Sequence, residues 1–164
     1  MTIPSLAVIC PVYNDEECID LFYNRFTKSL SKIKNIEVFL FFINNCSKDE
    51  SLTKIKAISM IKKNVYYISL SRNFGYQNSI LCGLKSIEAD LYTIIDVDCE
   101  DPPELIEKFL DYSNDGYDLI YGERTQREEF FLIQFMRKLF YRLTHYIADW
   151  DFIIDMAEFS LISK

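Results

Sequence analysis

From Leu6 onward, short apolar runs alternate with stretches of helical period, and this rhythm restricts the possible folds more than any other feature. Residues 6–10 (LAVIC) form an apolar run ending at Pro11, and 15–32 then place Ile19, Phe22, Phe26 and Leu30 three and four apart, a spacing that Ile33 continues. Residues 38–43 (VFLFFI) predict a strand buried on both faces, followed by a helix whose stripe is Leu52, Ile55, Ile58 and Ile61. A third strand at 65–70 leads to a helix at 77–87 with Ile80, Leu81, Leu84 and Ile87 inward. A fourth at 91–95 runs through an acidic segment into a helix opened by Pro102 and Pro103 and carrying Leu105, Ile106, Phe109 and Leu110. A fifth strand at 118–121 precedes a charged loop and a long aromatic helix over 130–148. Four successive strand–helix units predict an α/β fold with a mostly parallel sheet, right-handed crossovers and helices on both faces.

Composition narrows the function. A chain of 164 residues that is 49% hydrophobic, with only four glycines and four prolines, suits a single domain over 1–164 and excludes a disordered or collagen-like chain. The formal charge of −7 disfavours a nucleic-acid partner, because an acidic surface repels a polyanion. Cys10, Cys18, Cys46, Cys82 and Cys99 are scattered and odd in number, which suits a reducing compartment and predicts a cytoplasmic location. The longest unbroken apolar run, 38–43, is far short of the roughly 20 residues that span a bilayer.

In a parallel sheet the ligand crevice lies beyond the carboxyl ends of the strands. The segments expected there are PVYNDEE, NNCSKD, SRNFGYQ, DVDCED and YGERTQR, the most polar in the chain. Strand-to-helix loops are polar in any such fold, so Asn14, Ser47 and Pro103 also read as plain turn and cap residues. The acidic segment is more specific: Asp96, Asp98, Glu100, Asp101 and Glu104 place five carboxylates within nine residues. Asp101 and Glu104 read as capping the next helix and favouring its positive end. Asp96 and Asp98, two apart, would share a side if strand geometry continued, and so form a partial site for Mg2+ or Mn2+ completed by water and phosphate. GxGxxG and GxxxxGK[ST] are both absent, which excludes an ordinary dinucleotide site or P-loop ATPase.

CPVYNDEE (10–17), INNCSKDES (43–51), SRNFGYQNSILCGL (71–84), DVDCEDPPELI (96–106) and YGERTQR (121–127) resemble, in order and spacing, the family 2 glycosyltransferases of the Rossmann-like GT-A fold, the nucleotide-diphospho-sugar transferase fold. The resemblance is strongest to the branch of dolichol-phosphate mannose synthase and the bactoprenol glucosyltransferases. DMAEFSLISK (155–164) looks like a diverged form of that branch's D-x-G-D-F-R-L-M-S-R stretch.

The resemblance implies inverting, metal-dependent transfer from a nucleotide-sugar to a polyprenyl phosphate or glycan acceptor, in cell-envelope polysaccharide or glycolipid synthesis at the cytoplasmic face of a membrane. Carried over by position, Pro11, Tyr13, Asn14 and Asp15 would line the nucleoside pocket, Asn45 would fall where a base-contacting Asp is usual, and Asn73 would join the nucleotide-sugar site. Asp96 would lie at the nucleotide and Asp98 would bind the metal, Mg2+ or Mn2+. Arg124 and Arg127 match a phosphate-meeting loop, and equally read as a solvated charged loop beside Glu123, Glu128 and Glu129. Glu158 falls at the acceptor-side acid, and Asp155 or Glu158 would serve as base for a hydroxyl acceptor.

Several positions depart from the family pattern. Asn45 replaces Asp, Cys46 replaces a glycine whose positive φ a cysteine adopts poorly, Tyr76 stands where Lys or His is common, and Ala157, Glu158 and Ser160 replace Gly, Asp and Arg. These departures, and an expected truncation at the C-terminus before a membrane-anchoring part, leave an alternative: a catalytically impaired nucleotide-sugar-binding domain. Instead of a truncation, a membrane or membrane-protein partner would supply the anchor.

Overall fold

The computed structural model describes residues 3–31, 33–123, 136 and 156–164. Among the described residues the elements of defined extent follow one another as β1 (Ser5–Val12), α1 (Glu16–Leu30), β2 (Glu37–Asn44), α2 (Ser51–Ile61), β3 (Val65–Ser69), α3 (Tyr76–Ser86), β4 (Leu91–Ile94), a 3-10 turn (Pro103–Leu105), α4 (Ile106–Asn114), β5 (Leu119–Glu123) and β6 (Met156–Ser163). The sheet order is β3-β2-β1-β4-β6-β5. Strands β3, β2, β1 and β4 pair in parallel, and β6 runs antiparallel to both β4 and β5. The mostly parallel α/β sheet expected from the sequence is therefore present. The final segment, which the sequence marks only as a motif, is a sixth strand inserted between two that are successive in the chain.

Strand β1 is central, and its alternation builds both faces. Leu6, Val8, Cys10 and Val12 face a core with Phe22 and Phe26 of α1, Ile55 of α2 and Ile106 and Phe109 of α4. Ala7 and Ile9 face the opposite way, with Ile43, Ile87 and Ala89. Phe22 stacks on Phe26 at 5.8 Å between ring centroids, and each such fully buried side chain contributes about 1.5–3 kcal/mol.

Pro11 lies inside β1 although a proline removes a ladder donor. Ile9 O accepts the Ile95 amide, whereas Val12 O accepts the Asn45 amide, so alternation turns the backbone of Pro11 towards β4. Pairing with β4 stops at Ile9–Ile94, and no bond of that ladder is lost.

Two helical stripes differ from expectation. Leu52 and Ile61 are nine residues apart, about 180° around a helix of 3.6 residues per turn, so Ile55 is buried while Ile61 is 76% exposed. In α3, Leu81 is 45% exposed, since it lies about 100° from Ile80. Gly83 takes the inward place, where an added Cβ would come 2.8 Å from Ile9 Cγ2. The N-terminal half of β2 is only half-buried at Val38 and Phe39, against the expectation of burial on both faces. Apart from Met136, which is helical and exposed, the aromatic helix expected over 130–148 lies outside the described residues. No helix among the described residues is long and apolar enough to cross a membrane.

Candidate functional site

The carboxyl ends of β1, β2 and β4 converge on a cleft of about 350 Å³. Pro11, Tyr13 and Asp15 line it from the end of β1, Asn45 and Asn73 from the β2 side, and Asp96 and Asp98 from the segment after β4. Chain direction explains this convergence: in parallel strands every strand-to-helix loop emerges at the same edge.

The β1 and β2 loops are tied together. Asn14, at φ 57°, accepts the Lys48 amide at 2.8 Å through Oδ1, and its own amide donates to Ser47 Oγ at 3.1 Å. The Asp15 amide donates to Ser51 Oγ at 3.0 Å, and Asp49 accepts the amides of Glu16 and Ser51, both at 3.1 Å. Asn14 and Ser47 thus do turn work, and Asn14 is not among the side chains lining the cleft.

Asn45 is buried, and both ends of its amide are used inside the protein. Its Nδ2 donates to Asn73 Oδ1 at 3.0 Å and its Oδ1 accepts the Phe74 amide at 2.9 Å. Asn73 Oδ1 also accepts the Gly75 amide at 2.8 Å. Asn45 therefore fixes the 73–75 loop that ends at Gly75, φ 86°, and releases the chain into α3. An aspartate here could accept from Phe74 but could not donate to Asn73. Cys46 occupies φ 61°, the left-handed conformation that its chemistry disfavours and a glycine adopts freely.

The opposite wall is acidic. The strand geometry assumed for Asp96 and Asp98 ends at Ile94, yet both line the cleft, because the loop after β4 carries them there. Asp98 is exposed, and its Oδ1 accepts the Glu100 amide at 2.9 Å. Asp96 is half-buried and accepts the Tyr76 hydroxyl at 2.5 Å through Oδ1. Burial raises the Asp96 carboxyl above the usual carboxylate range; the Tyr76 bond opposes this, and the charges of Asp98, Glu158 and Asp101 add to it. Burial, then Asp96 and Glu158, push the Tyr76 phenol well up, so it remains a donor.

Glu158, on β6, is exposed, and its Oε1 accepts Gln77 Nε2 at 3.0 Å. Its chain neighbour Phe159 is buried against Phe109 of α4 at 4.7 Å, which anchors the strand. Arg124, Arg127 and Asp155 lie outside the described residues. Glu104 does lie in the first turn, as expected of an acid at a helix's positive end, while the residues at the N-cap positions of the 3-10 turn and α4, Pro102 and Leu105, make no side-chain cap bond. Glu104 also takes a fork from Arg25 of α1, at 2.9 and 3.0 Å. In the sequence Tyr76 stands out only as a departure and Gln77 not at all, although Tyr76, directly after the NFG turn, lines the cleft and Gln77 bonds Glu158.

Among the described residues no group of three or more His, Cys, Asp or Glu side chains gathers as a metal site. Asp96 and Asp98 nonetheless fit a hard divalent ion. Both are oxygen donors, both line one cleft and their charges repel, so a cation there would relieve an electrostatic cost. Two carboxylates leave coordination positions for water and phosphate oxygens, the usual arrangement for magnesium.

Residues 7–163 match the family model described as "Glycosyl transferase family 2". The uncharacterized glycosyltransferase YkcC of Bacillus subtilis (strain 168) is 36% identical over 160 residues, covering 96% of this chain and 49% of that protein. The bactoprenol glucosyl transferase of Shigella phage SfX is 30% identical over 160 residues, covering 97% of this chain and 52% of that protein. The chain thus spans about half the length of these curated relatives. The mannosyltransferase PcManGT from Pyrobaculum calidifontis, solved in complex with GDP-Man and Mn2+, superposes with a TM-score of 0.64 at 13% identity, over 75% of this chain and 36% of that one. This last likeness is one of fold, and it is the GT-A fold. With a matched segment that starts inside β1, ends inside β6 and carries every loop of the cleft between them, the chain belongs to glycosyl transferase family 2.

Proposed function

We propose that residues 1–164 form the catalytic domain of a glycosyltransferase that passes a sugar from a nucleotide-diphosphate donor to a polyprenyl phosphate or glycan acceptor, with inversion and a divalent ion, at the cytoplasmic face of a membrane. The observation that carries this reading is the pair Asp96 and Asp98, set across a 350 Å³ cleft from the satisfied Asn45–Asn73 wall. The family match and the bactoprenol glucosyl transferase of Shigella phage SfX support the reaction class and acceptor.

Tyr13, Asp15 and Asn73, which line the cleft, would hold the nucleotide part of the donor. Magnesium or manganese, held by Asp96 and Asp98, would supply positive charge to the diphosphate as it departs. The acceptor oxygen attacks the anomeric carbon from the face opposite the bond to the diphosphate, so that one C–O bond forms as the other breaks and the configuration inverts. A phosphate acceptor is already an anion and needs no base. A hydroxyl acceptor would lose its proton to Glu158, which is exposed and acts by charge on Tyr76 and Asp96, or to Asp155. Arg124 and Arg127 would meet phosphate oxygens through their planar forks.

Calorimetric titration of the chain with UDP and with GDP, each with and without Mn2+, tests the reading. Binding of one nucleotide, strengthened by the ion, is the expected result; no binding of either overturns it. Binding without sugar transfer to a polyprenyl phosphate would leave the domain as a nucleotide-sugar-binding unit.

A further inference from the structure

Helix α3 begins with two side chains that reach two carboxylates on two other elements. Tyr76 donates to Asp96 at 2.5 Å and Gln77 to Glu158 at 3.0 Å. The partners are 20 and 81 residues away in the chain, so tertiary structure alone brings them together. Both donors are neutral, and the positive end of the helix lies behind them. The chemistry of a neutral donor matters here. A phenol orients the carboxylate through one hydrogen bond and leaves its negative charge in place for a divalent ion.

Resting on the proposed function, we propose that Tyr76 is a positioning residue: its hydroxyl holds Asp96 in the cleft without neutralising it, and so couples nucleotide binding to the divalent ion. Tyr76 is half-buried, and a hydroxyl in that setting gains from any partner, so the bond by itself is also what plain structural satisfaction would produce. The two roles differ in one measurable quantity, the ratio of nucleotide affinity with Mn2+ to that without it. A structural bond leaves that ratio unchanged when removed, and a positioning bond does not.

The test is titration of the wild-type chain, Tyr76→Phe and Tyr76→Lys with UDP and GDP, with and without Mn2+, alongside thermal unfolding. The expected result is a ratio lowered roughly tenfold in Tyr76→Phe, the loss of about one hydrogen bond to a charged group, at a similar melting temperature. In Tyr76→Lys, which keeps a donor at a position where Lys or His is common in the family, the ratio stays closer to the wild-type value than in Tyr76→Phe. A wild-type ratio in a folded Tyr76→Phe overturns the inference and leaves the proposed function standing. If Tyr76→Phe does not fold, Tyr76→Leu, which also lacks the donor, decides in its place, and an unchanged ratio there overturns the inference. A wild-type chain that binds neither nucleotide overturns the proposed function and this inference together.

Discussion

On the β2 wall of the cleft, Asn45 has a protein partner at each end of its amide, and Asn14, Ser47, Asp49 and Ser51 knit two loops together. On the β4 wall, Asp96 and Asp98 repel each other, and the bonds that they accept come from one hydroxyl and one amide. The first wall is built for stability, because each buried polar group is satisfied. The second keeps negative charge concentrated in a cleft at a cost to the fold, which is the arrangement expected where an ion or ligand completes the site.

The largest effect that separates the walls is predicted for Asp98→Ala. Sugar transfer should fall by about a hundredfold or more, as on loss of one preorganised charge contact, while urea unfolding shows stability unchanged or slightly raised. Parallel losses of activity and stability would erase the contrast. On the other wall, Asn45→Ala should lower unfolding free energy by about 1–2 kcal/mol, since the Phe74 amide and Asn73 Oδ1 each lose a partner. A stability unchanged in that variant would mean that the amide network is not what holds the 73–75 loop. The smallest effect is assigned to Cys46→Gly. Releasing the φ of 61° favours glycine by about 1–2 kcal/mol, which exceeds the roughly 0.5–1 kcal/mol that glycine costs through the unfolded chain. Denaturant midpoints should therefore rise slightly, and a fall would show that the Cys46 side chain contributes more than its backbone costs.

Much of this architecture was legible in the chain. Apolar runs marked β1 to β5 within a few residues, and the polar loops that follow them do meet at one edge of the sheet. Seven of the side chains expected in the nucleotide and metal site border one cleft: Pro11, Tyr13, Asp15, Asn45, Asn73, Asp96 and Asp98. Their roles there are proposals. The stripe drawn through Leu52 and Ile61 failed because a spacing of three drifts about 60° per step from the helical period. Cys46 was expected to resist a positive φ and adopts one, since the surrounding loop, tied by Asn44 Oδ1 to the Ser47 amide at 3.2 Å, imposes it.

The order of residues in the chain governs local matters, namely which segments are strands or helices, which faces are apolar and which loops carry charge, because period and composition act over a few residues. Tertiary structure decided the rest. The insertion of β6 between β4 and β5 pairs residues far apart in the chain and brings Glu158 to Gln77, and the placing of the start of α3 beside the segment after β4 brings Tyr76 to Asp96. No local pattern encodes such contacts, since their energy arises only when distant segments close on one another and the chain entropy lost in doing so is offset by the whole core at once.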